Sequence, residues 1–247
     1  MKKKKKTFQS VLDFGSFQRR VEECKYSISG SEFYNRLLTQ LKDGVKYLDL
    51  ENVSNILCYG LGNFTSSVTS RYQLALLLLL QECFQVEIYA YDPIFSQIEI
   101  DFLKQFNFTV IDENEEGIRE ISEPTLIFLP HCPTALVNNL LWRNWSTSLS
   151  NCIVLGNSFK TLLDRHSERY FKEKYYYIYS ILPSTQETQV ENIFRFTDIF
   201  NDISLHVFPP SKLSQIPTTF WNDKVKPVYT DCDIECIGKK FSETLRI

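Results

Sequence analysis

The sequence predicts an α/β domain in which helices cover both faces of a mostly parallel sheet of about six to seven strands. From Asn52 onward, short runs rich in β-branched and aromatic residues alternate with helical stretches, a pattern typical of βαβ units. Before that point, residues 7–50 carry apolar side chains at helical spacing, which predicts a helical lead-in. The 247 residues are enough to bury a full core of this kind.

The lead-in contains recognisable helix signals. Ser31 is placed to cap a helix whose apolar residues include Phe33, Leu37 and Leu41. Gly44 predicts the end of that helix.

The remaining elements follow from the same patterns. Strands are predicted at residues 55–59, 86–91, 108–111, 125–129, 152–155, 175–179 and 204–208, with helices at about 66–84, 96–106 and 135–145. The sixth strand rests on the aromatic run from Tyr175 to Tyr179. The predicted organisation is a basic tail (1–6), the helical lead-in (7–50), a Rossmann-like domain (52–210) and an irregular C-terminal wrap (211–247).

Composition limits the class of protein. With 27 basic and 30 acidic residues the net charge is −3, so nucleic-acid binding by the core domain is not expected. The seven scattered cysteines favour a reducing compartment, the cytoplasm or the nucleus, over a disulfide framework. The longest apolar run, Leu74 to Leu80, is too short to span a membrane. The cluster Lys2 to Lys6 is either a nuclear signal, an acidic-surface contact or a solvated tail, and these alternatives stay open.

Polar and small residues follow the predicted strands at the points where ligands bind in open α/β sheets. Because the carboxyl ends of parallel strands meet at one edge of the sheet, we expect these residues to line a common crevice. The candidate ligand-binding residues are Gly60, Gly62, Asn63, Ser66, Asp92, His131, Gly156, Asn157 and Ser158.

A nucleotide-type ligand, such as a dinucleotide or S-adenosylmethionine, is one hypothesis for this crevice. Gly60 and Gly62 would let the backbone approach the ligand, the following helix would offer its N-terminal amides to an anion, and Asp92 would accept hydrogen bonds from a ribose. Two features depart from the dinucleotide fingerprint, because Thr65 replaces its third glycine and Asp92 follows Gly62 by about 30 residues instead of about 20. The alternative is structural: the glycines shape a turn, Ser66 caps the helix and Asp92 caps a turn before Pro93.

The later strand ends allow both kinds of interpretation. Adjacent residues in an extended segment point to opposite sides, so His131 and Cys132 do not easily form a nucleophile–base pair. His131 could face the crevice as an acid, a base or a hydrogen-bonding group, or its imidazole could bond to a neighbouring loop in a structural role. Asn157 and its neighbours could bind a ligand or cap the next helix. Cys232 and Cys236 lack a second pair of ligands, so no metal site is predicted, and no catalytic residue is assigned.

Several segments together resemble the SRR-like family, named from sensitivity to red light reduced. They are residues 58–64 (CYGLGNF), 71–75 (RYQLA), 91–95 (YDPIF) with Glu99, 129–133 (LPHCP), 155–159 (LGNSF) and 200–206 (FNDISLH), within a match of about 52–210. The resemblance implies a regulatory protein that acts through unidentified protein partners. It links the chain to circadian-clock and light signalling, to haem-biosynthesis regulation and to microtubule-related processes. The family brings no established catalytic activity, so an enzyme or sensor that binds a nucleotide or S-adenosylmethionine remains the alternative. The sequence contains no haem-attachment motif.

Overall fold

The computed structural model describes residues 14–222 and 224–229. Their strands form one seven-stranded sheet in the order β3-β2-β1-β4-β5-β7-β6. The strands are β1 (Asn55–Tyr59), β2 (Glu87–Tyr91), β3 (Phe108–Val110), β4 (Thr125–Leu129), β5 (Cys152–Asn157), β6 (Gln186–Gln189) and β7 (Ile203–Val207). The predicted α/β class is therefore confirmed.

Strand direction makes this a mostly parallel, mixed sheet. β1 pairs in parallel with β2 and β4, β2 with β3, and β4 with β5. β7 runs antiparallel to both of its neighbours, β5 and β6. The carboxyl ends of β1, β2, β4 and β5 consequently lie at the same edge of the sheet.

Helices cover both faces of the sheet. They are α1 (Phe14–Ser29), α2 (Glu32–Tyr47), α3 (Val68–Phe84), α4 (Gln97–Gln105), α5 (Thr134–Arg143), α6 (Phe159–Asp164), α7 (Glu168–Lys174), α8 (Tyr176–Ile181) and α9 (Pro210–Leu213). Short 3₁₀ turns occur at Thr147–Asn151, Leu182–Ser184 and Thr218–Asn222.

The side chains of each central strand alternate between two cores. In β1, Ile56 and Cys58 pack with α1 to α4, whereas Leu57 and Tyr59 pack with the helices that follow β4. This alternation is the two-residue period of a strand that is buried on both faces. The three-layer arrangement predicted from the sequence is thus confirmed.

The lead-in forms two helices in its described part. The hydroxyl of Ser31 accepts a hydrogen bond from Tyr34 N, as the predicted cap requires. The predicted stop at Gly44 is wrong, because α2 continues to Tyr47. Gly44 instead faces β7, where an added Cβ would lie 3.1 Å from Leu205 Cδ2. The glycine therefore lets α2 pack closely against the sheet.

The predicted strand at Tyr175 to Tyr179 is also wrong, since this segment begins helix α8. Tyr177 and Ile178 are buried, and their backbone amides donate to Asn138 Oδ1 at 3.0 and 3.3 Å. The Asn138 side chain, distant in sequence, thus supplies the acceptor that the first amides of a helix lack. This contact favours a helix despite the β-propensity of the aromatic residues. The strand that brings the sheet to seven is instead β6 (Gln186–Gln189). Its residues are polar, so the sequence pattern did not predict a strand there.

The C-terminal wrap is described only as far as residue 229. This part holds α9, one 3₁₀ turn and a segment without regular secondary structure. The Lys2–Lys6 cluster and the Cys232/Cys236 pair lie outside the described residues.

Within the described ranges, no helix combines the length and apolar character needed to cross a bilayer.

Candidate functional site

The predicted site residues lie along the carboxyl edge of the sheet in two adjacent groups. The first group surrounds the turn after β1, and the second joins the ends of β4 and β5. Cys132 connects the two groups, because its Sγ donates a hydrogen bond to Tyr59 O at 3.1 Å and lies against Gly60. We call the whole assembly the carboxyl-edge site.

Asp92 and Gly62 meet in the first group. Gly62 N donates to Asp92 Oδ2 at 2.7 Å, and Ile94 N donates to Asp92 Oδ1 at 2.9 Å. Burial raises the pKa of the Asp92 carboxyl above its ordinary value, and the two backbone hydrogen bonds oppose that rise. The acid that ends β2 therefore holds the glycine turn in place.

The two glycines of this turn have left-handed backbone conformations that only glycine adopts easily. Gly60 has φ +70° and Gly62 has φ +79°. An added Cβ would lie 2.5 Å from Cys132 Sγ at Gly60 and 2.5 Å from Ser70 Oγ at Gly62. The space left by each glycine is thus occupied by a side chain of the protein itself.

Asn63 organises the loop between this turn and α3. Its Oδ1 accepts hydrogen bonds from Thr65 Oγ1 at 3.0 Å, Ser66 N at 3.0 Å and Ser66 Oγ at 2.7 Å. Because Ser66 is engaged in this way, the alternative prediction that it caps the helix is wrong. The cap is Ser67, whose hydroxyl accepts from Ser70 N.

Glu99 belongs to the site although sequence reasoning assigned it no chemistry. The side chain is fully buried. Its Oε1 accepts from Thr65 N at 2.9 Å, and its Oε2 accepts from Ser96 N at 2.9 Å and Ser96 Oγ at 2.8 Å. The capping box Ser96-x-x-Glu99 was a readable signal for the local half of this network. The contact with Thr65 carried no such signal.

The second group centres on Asn157. His131 N donates to Asn157 Oδ1 at 3.0 Å, and Asn157 Nδ2 donates to Cys132 O at 2.9 Å. His131 is an exposed residue with φ +57°, and its Nε2 lies 3.1 Å from Ile199 O. Cys132 is buried, so the two neighbours point to different environments, but they do so in a turn and not in the extended segment that the sequence suggested.

An open cleft lies beside the second group. Its volume is about 190 Å³, and its lining residues are His131, Asn157, Ser158, Thr161, Leu162, Arg165 and Asp202. Arg165 Nη2 and Asp202 Oδ2 form an ion pair at 2.6 Å on its wall. The cleft is smaller than the roughly 300–1,000 Å³ of typical small-molecule pockets, so it suits a small polar group. Gly156 does not line it, because this residue packs inside β5 against Leu129.

Ser158 and His206 fix the start of α6 behind the cleft. Ser158 Oγ accepts from Thr161 N at 3.1 Å and donates to Glu187 Oε1 at 2.5 Å. His206 is fully buried, stacks on Phe159 with 3.8 Å between ring centroids, and has Nδ1 3.2 Å from Val154 O. Burial is the largest cause that lowers the pKa of His206, to about 4. Ser158 is thus a helix cap, the structural alternative considered from the sequence.

Comparison with known proteins identifies relatives over much of the chain. A family model described as SRR1 domain matches residues 34–207. A mouse protein named SRR1-like protein is 49% identical over 126 residues, which cover 49% of this chain and 51% of the mouse protein. A fly protein of the same name, from Drosophila melanogaster, is 30% identical over 204 residues and covers 80% of this chain and 70% of the fly protein. The Arabidopsis thaliana protein SENSITIVITY TO RED LIGHT REDUCED 1 is 33% identical over 153 residues, 58% of this chain and 56% of that protein. The chain thus spans only about half the length of the mouse relative.

Solved structures show weaker likeness. The plantazolicin methyltransferase BamL, solved with a triazolic desmethylPZN analog and SAH, has a TM-score of 0.32 and 16% identity over 71% of this chain and 78% of its own. Thermoplasma acidophilum 1320 has a TM-score of 0.36 and 12% identity over 76% of this chain and 97% of its own. Likeness at this level does not bear on function.

Proposed function

The chain belongs to the SRR1 family, and on that premise we propose that it is a regulatory protein that acts through protein partners. Support comes from the family match over residues 34–207 and from the name of the Arabidopsis relative, which refers to a response to red light. The proposal includes action in the cytoplasm or nucleus, which the scattered cysteines of the sequence favour. Light signalling is the process we place first. Circadian-clock input, haem-biosynthesis regulation and microtubule-related processes are the other processes that the family resemblance suggests.

One observation about the site carries the proposal. The polar groups at the strand ends hydrogen-bond to one another: Asp92 to Gly62, Asn157 to His131 and Cys132, and Ser158 to Glu187. Groups engaged in this way stabilise a fixed edge of the sheet. This arrangement supports a scaffold that presents a surface to partners.

The regulatory role is testable by exchange with the plant relative. The aligned segment of the Arabidopsis protein is replaced by that of this chain, and the chimera is expressed in plants that lack the original protein. We expect the red-light response to be restored to the level given by the unaltered Arabidopsis protein. A chimera that accumulates to the same amount as that control but leaves red-light sensitivity reduced would count against the proposal.

A second candidate function is binding of a nucleotide-type ligand or S-adenosylmethionine, as a sensor or an enzyme. The 2.7 Å contact between Gly62 N and Asp92 Oδ2 favours it, because it places the glycine turn and the acid that ends β2 side by side at the carboxyl edge, where such sheets hold their ligands. Each oxygen of Asp92 accepts one hydrogen bond from the protein, which leaves it acceptor capacity for a ribose hydroxyl.

Thermal unfolding with ATP, NAD, S-adenosylmethionine and haem tests this candidate. A ligand present at one hundred times its Kd should add about 2.7 kcal/mol to the stability of the wild type. Asp92→Ala should abolish the shift, and Asp92→Asn should weaken it, whereas the exposed control Asp112→Ala should retain it. If none of these compounds shifts the wild type, the candidate is excluded for them.

A further inference from the structure

Three arginine side chains lie near the amino-terminal part of α3. Arg20 lies on α1, Arg71 on the first turn of α3, and Arg195 in the segment between β6 and β7. The guanidinium carbons of Arg20 and Arg71 lie 5.7 and 5.9 Å from the centroid of the same ring, that of Phe17. We call these three residues the arginine cluster.

Arg195 joins the cluster through the next turn of α3. Its Nη2 donates to Tyr72 OH at 3.0 Å. Burial raises the pKa of the Cys24 thiol, and the charges of Arg71 and Arg195 oppose that rise. The thiol of Cys24 thus lies near both guanidinium groups.

No carboxylate of the described residues forms an ion pair with the cluster, although the Glu23 carboxylate on α1 acts on the same Cys24 thiol. Among the ion pairs formed by residues 14–222 and 224–229, none includes Arg20, Arg71 or Arg195. The Nε atoms of Arg20 and Arg71 are buried and have no hydrogen-bond partner. Arg71 is only 9% exposed, and burial together with the charge of Arg20 lowers its pKa. Buried donors and cations normally have partners, because leaving them unpaired is costly.

The position of Arg71 directs the positive charge of the cluster toward the start of α3. Its Nη2 donates to Thr65 O at 3.0 Å, in the loop before the helix. The first amides of a helix lack intrahelical acceptors and carry the positive end of the helix dipole. The 17-residue helix α3 therefore adds to the positive potential at the cluster.

We propose that the arginine cluster binds a phosphate group carried by a small molecule, or free phosphate itself. The planar guanidinium fork matches the oxygen geometry of phosphate, and an anion here would supply the missing partners of Arg20 and Arg71. The near-complete burial of Arg71 fits one compact group better than a flat macromolecular surface. None of the three arginines belongs to the carboxyl-edge site, and phosphate binding by them would be an activity separate from the regulatory role.

Binding of inorganic phosphate and of AMP to the full chain, measured by calorimetry at constant ionic strength, tests the proposal. We expect saturable binding to the wild type that Arg20→Gln weakens about tenfold or more, since a charge-assisted hydrogen bond is lost. Arg71→Lys should weaken it similarly, because lysine keeps the charge but loses the fork. Arg19→Gln is the matched control: it makes the same charge change at the neighbouring exposed position of α1, and binding should stay within about twofold of the wild type.

The relative affinities of AMP and phosphate distinguish the two possible sources of the phosphate group. Tighter binding of AMP than of phosphate would identify a nucleotide as the source of the group, and equal binding would identify phosphate itself. If Arg71→Lys fails to fold, Arg20→Gln decides, because Arg20 is partly exposed. The proposal is overturned if the wild type shows no saturable binding of either compound, or if Arg20→Gln and Arg19→Gln behave alike.

Discussion

Replacement of Glu99 by alanine is expected to lower the free energy of unfolding by about 3 kcal/mol or more. The change removes the acceptor for Thr65 N, Ser96 N and Ser96 Oγ. It also leaves a cavity, because Glu99 is fully buried. Urea unfolding monitored by circular dichroism measures the loss.

Two further substitutions, one on the same helix and one at its cap, test whether the loss of stability is specific to Glu99. Asp101→Ala removes an exposed carboxylate of α4 whose partner is Gln97, and it should cost about 0.5 kcal/mol or less. Ser96→Ala removes only the hydroxyl part of the Glu99 network and should cost about 1 kcal/mol. Equal effects of Glu99→Ala and Asp101→Ala would show that the buried network contributes nothing.

Acidification is expected to destabilise the fold through His206. The folded state holds the pKa of this imidazole at about 4, whereas the ordinary value is 6.5. Between these values the unfolded chain binds the proton and the folded chain does not. The stability that the neutral imidazole of His206 contributes is therefore fully present above about pH 6.5, and it is lost progressively as the pH falls toward 4. The loss due to His206 between pH 7 and pH 5 should be about 2 kcal/mol.

Neighbouring charges modify this titration without reversing it. Burial, the largest cause, lowers the pKa of His206 and Lys160 lowers it further; together they outweigh Glu187, whose Oε1 lies 3.8 Å from His206 Nε2 and raises the pKa. Urea unfolding at the two pH values should show the loss in the wild type and in the exposed control His166→Gln. His206→Gln should be less stable at pH 7 and should lack this part of the pH dependence. The same pH dependence in all three proteins would assign it to other groups.

The sheet was predictable where burial alone determined the pattern. β1, β4 and β5 are almost wholly buried, so continuous apolar runs marked them. β6 has the sequence Gln-Glu-Thr-Gln and lies at the edge, where strand residues need not be apolar. Helix α8 depends on Asn138, a partner supplied by another helix, so local propensity favoured the wrong structure.

The sequence predicted where the site residues lie, but it did not predict their hydrogen-bond partners. Strand ends indicated where Asp92 and Asn157 would lie, because parallel strands share one carboxyl edge. The partners of these residues depend on how loops fold back, which a single sequence does not encode locally. Glu99, His206 and Arg71 are the clearest examples, since their burial and their contacts arise only from packing between distant segments.

The position of α1 has a consequence for biosynthesis. Phe17 packs against Phe64 and Phe102, so the first described helix completes its core contacts only after α4 has been made. At roughly 5–20 residues per second, a ribosome takes several seconds or more to add the intervening chain. During that interval the docking surface of α1 is incomplete, and its apolar stripe is a natural target for chaperones that shield nascent polypeptides.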